Sequence, residues 1–170
     1  MFNIVGCHGV GVNYGLLGNN LPPPAQVVSL LKSRNISRVR LFEPNQDALK
    51  ALEGSGIEVI LGTLNGDLPR LASDPSFATE WVRTNIIPHA ESINFRYVTA
   101  GNEVIPGQFE EAVIPAMQKL DAALTAANLK IPVTTVVATG VLSSSFPPSQ
   151  VHLLHFLVLF QILRFINFSS

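Results

Sequence analysis

The sequence predicts an α/β fold made of repeated strand-helix units, in the manner of an incomplete (β/α)8 barrel with about five strands and four helical connections. Short runs rich in β-branched residues recur roughly every 20 to 40 residues, and apolar residues at helical spacing lie between them. Strands that alternate with helices are typical of a parallel sheet. No glycine-rich G-x-G-x-x-G or P-loop motif opens a helix, which argues against a nucleotide-binding sheet and favours a barrel.

Each predicted element follows from local composition. Proline begins the first helix, and Gly54 and Gly56 end the second. The predicted strands are 10–14, 38–42, 57–63, 95–99 and 133–137. The predicted helical segments are 25–33, 46–52, 68–72, 76–87 and 109–127, the third and fourth lying in one connection. Because a complete barrel needs about 250 residues, these units amount to little more than half of one.

The composition predicts one globular domain without a strong surface charge. The 170 residues suffice for one domain with a substantial core, and 47% hydrophobic against 14% charged residues argues against disorder. Eleven basic and twelve acidic side chains give a formal net charge of −1, so no basic field predicts nucleic acid as a partner. Cys7 is the sole cysteine, which excludes an internal disulfide and a zinc site with Cys/His spacing. We therefore expect an uncharged partner and no metal.

The stretch from Tyr97 to Val104 carries the strongest functional signal. It is a β-type run that stops at Gly101 and is followed by the pair Asn102 and Glu103. A carboxylate in that place lies at the carboxyl end of a predicted strand, where barrels of parallel strands carry their active sites. Glu103 is therefore our candidate catalytic acid.

Five motifs occur in order along the chain. They are Gly11-Val12-Asn13-Tyr14-Gly15, Asn19-Asn20-Leu21-Pro22, Arg40-Leu41-Phe42-Glu43-Pro44-Asn45, Ala100-Gly101-Asn102-Glu103-Val104 and Ser145-Phe146-Pro147-Pro148-Ser149. Together they resemble plant glycoside hydrolase family 17, the endo-1,3-β-glucanases, and the likeness is near-continuous from Val10 to Gln150. The resemblance implies a TIM barrel and retaining hydrolysis of 1,3-β-glucan in cell walls, callose or fungal walls. It implies no metal or organic cofactor.

The same resemblance assigns roles to four residues. The glutamate of the family's Gly-Asn-Glu motif is the proton donor and corresponds to Glu103, in agreement with the strand-end argument. Asn102 would hydrogen-bond the sugar 2-hydroxyl, a contact that strengthens in an oxocarbenium-like transition state. Tyr14 resembles a tyrosine of the family's sugar cleft, and Phe42 stands where the family usually has tyrosine, so it keeps a stacking face without the hydroxyl. Both aromatic rings could equally fill the barrel core.

The family's nucleophile is a glutamate in a Ser-Glu-Ser-Gly-Trp type motif, and the 170 residues contain no such motif. A retaining glycosidase needs two carboxyl groups about 5 to 5.5 Å apart, one as acid and one as nucleophile. We therefore expect that this polypeptide does not hydrolyse 1,3-β-glucan at a useful rate. Two other interpretations stay open: a non-catalytic protein that binds β-glucan or another partner, and a fragment that does not fold.

The two ends differ from the predicted barrel region, 10–150. Residues 1–9 lack the basic and apolar regions of a signal peptide; the family is secreted or vacuolar, whereas the chain as written would be cytoplasmic. Residues 151–170 form an apolar tail unlike the units before it. We interpret this tail as the product of a one-base frameshift near codon 151.

The sequence also bears on whether this incomplete barrel binds a membrane and whether it associates with itself. A membrane anchor in the tail is disfavoured, because its two histidines, Gln161 and Arg164 are costly in a span close to the minimum length. Self-association is favoured, because a sheet that does not close leaves strand edges exposed.

Overall fold

The computed structural model describes residues 9–142 and Ile162, and its centre is a five-stranded parallel sheet. The strands are β1 (Val10–Tyr14), β2 (Ile36–Leu41), β3 (Glu58–Gly62), β4 (Asn94–Asn102) and β5 (Val133–Val136). The helices are α1 (Pro24–Ser33), α2 (Gln46–Leu52), α3 (Leu68–Ser73), α4 (Pro75–Asn85) and α5 (Glu110–Ala126). The strand order β1-β2-β3-β4-β5 follows the chain, and all four pairings are parallel. Successive strands are therefore neighbours, as in a barrel and unlike a doubly wound sheet.

Local sequence signals begin several helices where the structure has them. Pro24 is the first residue of α1 and Pro75 the first of α4, where the missing N–H of proline costs no helical hydrogen bond. Asn45 caps α2 by accepting a hydrogen bond from the Ala48 N–H at 2.9 Å, and the Asp74 carboxylate caps α4. All the predicted strands and helical segments are present, and the largest difference is that β4 continues to Asn102.

One face of the sheet forms the core against the helices. Leu41 pairs with Leu61, and Leu61 with Val98, and all three side chains are completely buried. Residues in register on parallel strands share a face, so this row presents a continuous apolar surface. The helices cover it with fully buried side chains, among them Leu49, Leu52, Leu68, Leu71, Met117 and Leu120.

The opposite face carries charged side chains near the amino ends of the strands. Arg38 Nε donates to Glu58 Oε2 at 2.6 Å, and Arg96 Nη1 donates to both carboxylate oxygens of Glu58 at 3.1 Å. The three side chains are between 26% and 39% exposed. One carboxylate thus lies between two guanidinium groups inside the curve of the sheet.

Besides the atypical N-terminus, of which only residue 9 is described, two sequence interpretations fall outside the described residues. The Ser145-to-Ser149 motif is one, and the apolar tail, apart from the buried Ile162, is the other. Within residues 9–142, none of the helices has the length and apolar character needed to cross a membrane.

Candidate functional site

A cleft of about 550 Å³ opens where β1 to β4 end. Tyr14, Phe42 and Asn102, three of the four predicted site residues, line it. Other lining residues come from the loops after β1, β2 and β3: Gly15, Leu16, Leu17, Glu43, Thr63, Leu64, Asn65 and Gly66. The structure therefore brings these three residues together at the carboxyl edge of the sheet, and Glu103 follows Asn102 directly.

The end of β4 departs from regular strand geometry. Its pairing with β5 shifts between Thr99 and Asn102, so β4 holds one more residue there than β5 does. Such bulges redirect side chains and are frequent beside active sites. Gly101 has φ +76° and Glu103 has φ +55°, in the left-handed region that a side chain disfavours. The backbone thus turns sharply at the residues that carry the functional signal.

Glu103 is exposed, and its backbone is held firmly. Its N–H donates to the Val136 carbonyl oxygen at 2.8 Å. Its carboxylate makes no hydrogen bond or ion pair with any other residue that the structure describes. A non-glycine residue at positive φ costs of order 1–3 kcal/mol and persists only where its surroundings enforce it, often at functional sites. The backbone of Glu103 is therefore held in place, while its carboxylate is available to bind a ligand.

Arg40 connects three of the predicted site residues. Its Nη2 donates to Asn102 Oδ1 at 2.7 Å, and its guanidinium carbon lies 4.6 Å from the centre of the Phe42 ring. Burial lowers the pKa of the Arg40 guanidinium, and the nearby Glu103 carboxylate partly offsets this effect; arginine side chains stay charged in proteins. Arg40 is not among the site residues predicted from the sequence.

The hydrogen bond from Arg40 fixes how Asn102 can bind a ligand. A guanidinium group only donates hydrogen bonds, so the Asn102 atom that faces it must be the amide oxygen. The Asn102 Nδ2 group is then left to donate, and no residue in the described ranges accepts from it. This geometry suits the role that the resemblance implies, a hydrogen bond to a sugar hydroxyl.

The two aromatic residues lie differently in the cleft. Tyr14 is only 9% exposed, and its hydroxyl is buried without a hydrogen-bond partner in the described part of the chain; burial raises the pKa of this phenol. Phe42 is 36% exposed. Tyr14 is therefore largely a core residue whose side chain also forms the cleft wall, whereas the Phe42 ring is accessible for stacking.

Two further lining residues were missed from the sequence. Glu43 is a carboxylate in the cleft wall, and Asn65 follows β3 by three residues. The strand-end argument that selected Glu103 would also have selected both, since each follows a predicted strand. Arg40 had a different signal, because it is a charged residue between the apolar Val39 and Leu41 within a strand.

No group of three or more histidine, cysteine, aspartate or glutamate side chains that could bind a metal ion occurs among residues 9–142. The polar side chains that line the cleft are instead those of Tyr14, Glu43, Thr63, Asn65 and Asn102. These groups suit recognition of a polyhydroxylated ligand through hydrogen bonds.

Comparison with known proteins assigns this chain to a family. The family model described as glycosyl hydrolases family 17 matches residues 10–167. A Hordeum vulgare protein with the name "Putative glucan endo-1,3-beta-glucosidase GVI" is 54% identical over 147 residues, which is 86% of this chain and 46% of that protein. A Vitis vinifera glucan endo-1,3-beta-glucosidase is 45% identical over 152 residues, 86% of this chain and 44% of its own length.

Solved structures agree. The Cryptomeria japonica pollen protein CJP38, described as a β-1,3-glucanase and allergen, superposes with a TM-score of 0.90 at 39% identity, over 95% of this chain and 53% of that one. The predicted TIM-barrel family is thereby confirmed. The chain spans about half the length of the relatives it matches. It belongs to the glycosyl hydrolases of family 17.

Proposed function

We propose that this chain provides the acid half of a retaining 1,3-β-glucanase site, with Glu103 as proton donor and Asn102 as the donor to the sugar 2-hydroxyl. The observation that carries the proposal is the position of this pair at the end of β4, beside a cleft lined by Tyr14 and Phe42. The named relatives are glucan endo-1,3-beta-glucosidases, which supports 1,3-β-glucan as the ligand.

The chemistry asks two things of Glu103. As an acid it must reach the glycosidic oxygen, and in the second step it must accept a proton from water. Both steps require a carboxyl group that is not already engaged in a hydrogen bond or ion pair with another side chain. The Glu103 carboxylate forms no hydrogen bond or ion pair with another described residue, which agrees with this requirement.

The polypeptide of residues 1–170 by itself is proposed to bind 1,3-β-glucan without turnover. Retention requires a nucleophilic carboxylate about 5 to 5.5 Å from the acid, and the family's Ser-Glu-Ser-Gly-Trp type motif does not occur in the sequence. The second candidate function, a non-catalytic β-glucan-binding protein, is favoured by the same observation. Both predict saturable binding through the cleft.

The test combines binding with turnover on one preparation. Titration of the chain with 1,3-β-glucan oligosaccharides, followed by NMR, should shift the signals of Phe42 and Asn102, while 1,4-linked cello-oligosaccharides serve as the linkage control. Release of reducing ends should stay at the background of the Glu103→Gln variant. Turnover that Glu103→Gln abolishes would overturn the binding-only proposal, and its loss in Glu43→Gln as well would indicate Glu43 as the second carboxylate.

A further inference from the structure

The loop after β3 holds the end of β4 through side chains. The Gly101 N–H donates to Thr63 Oγ1 at 3.0 Å, and the Asn102 N–H donates to Asn65 Oδ1 at 2.7 Å. The Asn65 Nδ2 group donates back to the Asn102 carbonyl oxygen at 3.0 Å. The side-chain amide of Asn65 therefore hydrogen-bonds both the backbone N–H and the backbone carbonyl oxygen of Asn102.

This contact replaces a strand pairing that the backbone cannot supply. β3 ends at Gly62, so at Asn102 no β3 backbone remains to pair with β4. A primary amide carries one acceptor and two donor hydrogens, and it presents to Asn102 the pattern that a neighbouring strand would present. The other side of β4 is held by β5, where the Glu103 N–H bonds Val136. Both flanks of the turn at Asn102 and Glu103 are thus satisfied.

We propose that Asn65 is a positioning residue that holds Asn102 and Glu103 in the conformation that meets the glucan. The effect on glucan binding rests on the proposed function, whereas the positioning of Asn102 rests on its two hydrogen bonds with Asn65. Because Glu103 lies at φ +55°, an unheld backbone would relax toward negative φ and carry the carboxylate away from the cleft. Asn65 acts through the backbone of its neighbours, and Asn102 and Glu103 remain the groups that contact sugar.

The experiment compares Asn65→Ala with Asn45→Ala in the full 170-residue chain. Both substitutions remove the side chain of an asparagine that lies beyond the carboxyl end of a strand and bonds the backbone of another residue. Asn45 serves only the cap of α2, and its loss should lower the folding equilibrium constant by about fivefold. If Asn65 contributed only to stability, both variants would lower the stability of the chain, and neither would change the exchange rate of the Asn102 amide relative to other amides.

Amide hydrogen exchange gives the local reading. In Asn65→Ala the Asn102 amide should exchange at least about tenfold faster relative to the amides of Val59 and Leu61, while Asn45→Ala should leave that ratio unchanged. Affinity for 1,3-β-glucan oligosaccharides should fall by about fivefold to tenfold in Asn65→Ala alone. An unchanged exchange ratio in Asn65→Ala would overturn the proposal.

Asn65→Asp adds a pH dependence that a packing role would not produce. The aspartate keeps the acceptor for the Asn102 N–H, but it places a second acceptor against the Asn102 carbonyl. Protonation near the ordinary aspartate pKa of about 3.9 restores a donor, so protection of Asn102 should return toward the wild-type value below that pH. Protection that stays low at acid pH would contradict the paired-amide mechanism.

Failure of the wild-type chain to bind glucan would reject the proposed function, while the exchange ratios would still decide the role of Asn65.

Discussion

Arg38 and Arg40 lie two residues apart on the same face of β2, yet their surroundings differ. Arg38, near the amino end, donates to Glu58, which also binds Arg96. Arg40, near the carboxyl end, donates to the neutral Asn102, and its Nε is buried without a partner in the described ranges. At the amino end one carboxylate forms ion pairs with two guanidinium groups, whereas neither Arg40 nor Glu103 forms an ion pair with another described residue.

The two ends of the sheet therefore differ in how completely their polar groups are hydrogen-bonded. Buried polar atoms in native proteins are generally hydrogen-bonded, and the amino end follows that rule. At the carboxyl end, the Tyr14 hydroxyl and Arg40 Nε both lack partners within the described part of the chain. These atoms lie at the end of the sheet where the cleft is found. Substitutions of polar side chains around Asn102 at the carboxyl end should therefore alter binding, and substitutions in the amino-end cluster of Arg38, Glu58 and Arg96 should alter stability.

The largest expected effect is on stability at the carboxyl end, from Gly101→Ala. Its added Cβ would meet Leu68 Cδ1 at 2.8 Å in a residue with φ +76°, and strain plus overpacking should cost about 2–4 kcal/mol. Gly54→Ala is the matched control, because it has φ +61° with nothing within 4 Å and should cost only about 1 kcal/mol. Denaturant unfolding measures both, and equal losses would mean that the β4 turn tolerates a side chain.

The next effect belongs to the amino end. Glu58→Gln should cost about 1 kcal/mol of unfolding free energy, because it removes the carboxylate between two partly exposed guanidinium groups. The hydrogen bond from Arg38 holds the pKa of Glu58 below its ordinary value. Its stabilisation is therefore complete above the unfolded-state pKa of about 4.3 and is lost as the pH falls through the lower folded-state pKa. Wild-type and variant unfolding curves should converge on acidification; a constant difference would argue against the ion pair.

A smaller effect is expected from Arg40→Lys. Lysine keeps the charge but loses the planar contact with Phe42 and the fixed hydrogen bond to Asn102. Affinity for 1,3-β-glucan oligosaccharides should fall by about threefold to tenfold, which corresponds to one weakened hydrogen bond, while stability should change by less than about 1 kcal/mol. Arg83→Lys, on the exposed face of α4, is the control and should leave the titration unchanged.

The smallest effect on stability is expected from Glu103→Gln. The Glu103 carboxylate has no hydrogen-bond or ion-pair partner among the described residues, so unfolding free energy should stay within about 0.5 kcal/mol of the wild-type value. Set beside Glu58→Gln, this gives the sharpest contrast between the two ends. A loss as large as that of Glu58→Gln would show that Glu103 serves structure.

Much of this arrangement could be predicted from the sequence, because periodicity and turn residues are local. The strand-end rule placed Asn102 and Glu103 correctly at the edge of the sheet. The bulge between Thr99 and Asn102 could not be predicted, since it depends on register with β5. The role of Asn65 was equally hidden, because its partner is 37 residues away in the chain.

Because Arg40 occupies the amide oxygen of Asn102, this end of the cleft presents hydrogen-bond donors to a ligand. A hydroxyl group can accept from such donors, whereas an ammonium group can only donate and also carries positive charge. A sugar with a 2-ammonium group in place of the 2-hydroxyl would face the Asn102 NH₂ group and the Arg40 guanidinium, both of which disfavour it. We therefore expect the hydrogen bond between Arg40 and Asn102 to favour a hydroxyl over an ammonium group as the partner of the Asn102 NH₂ group.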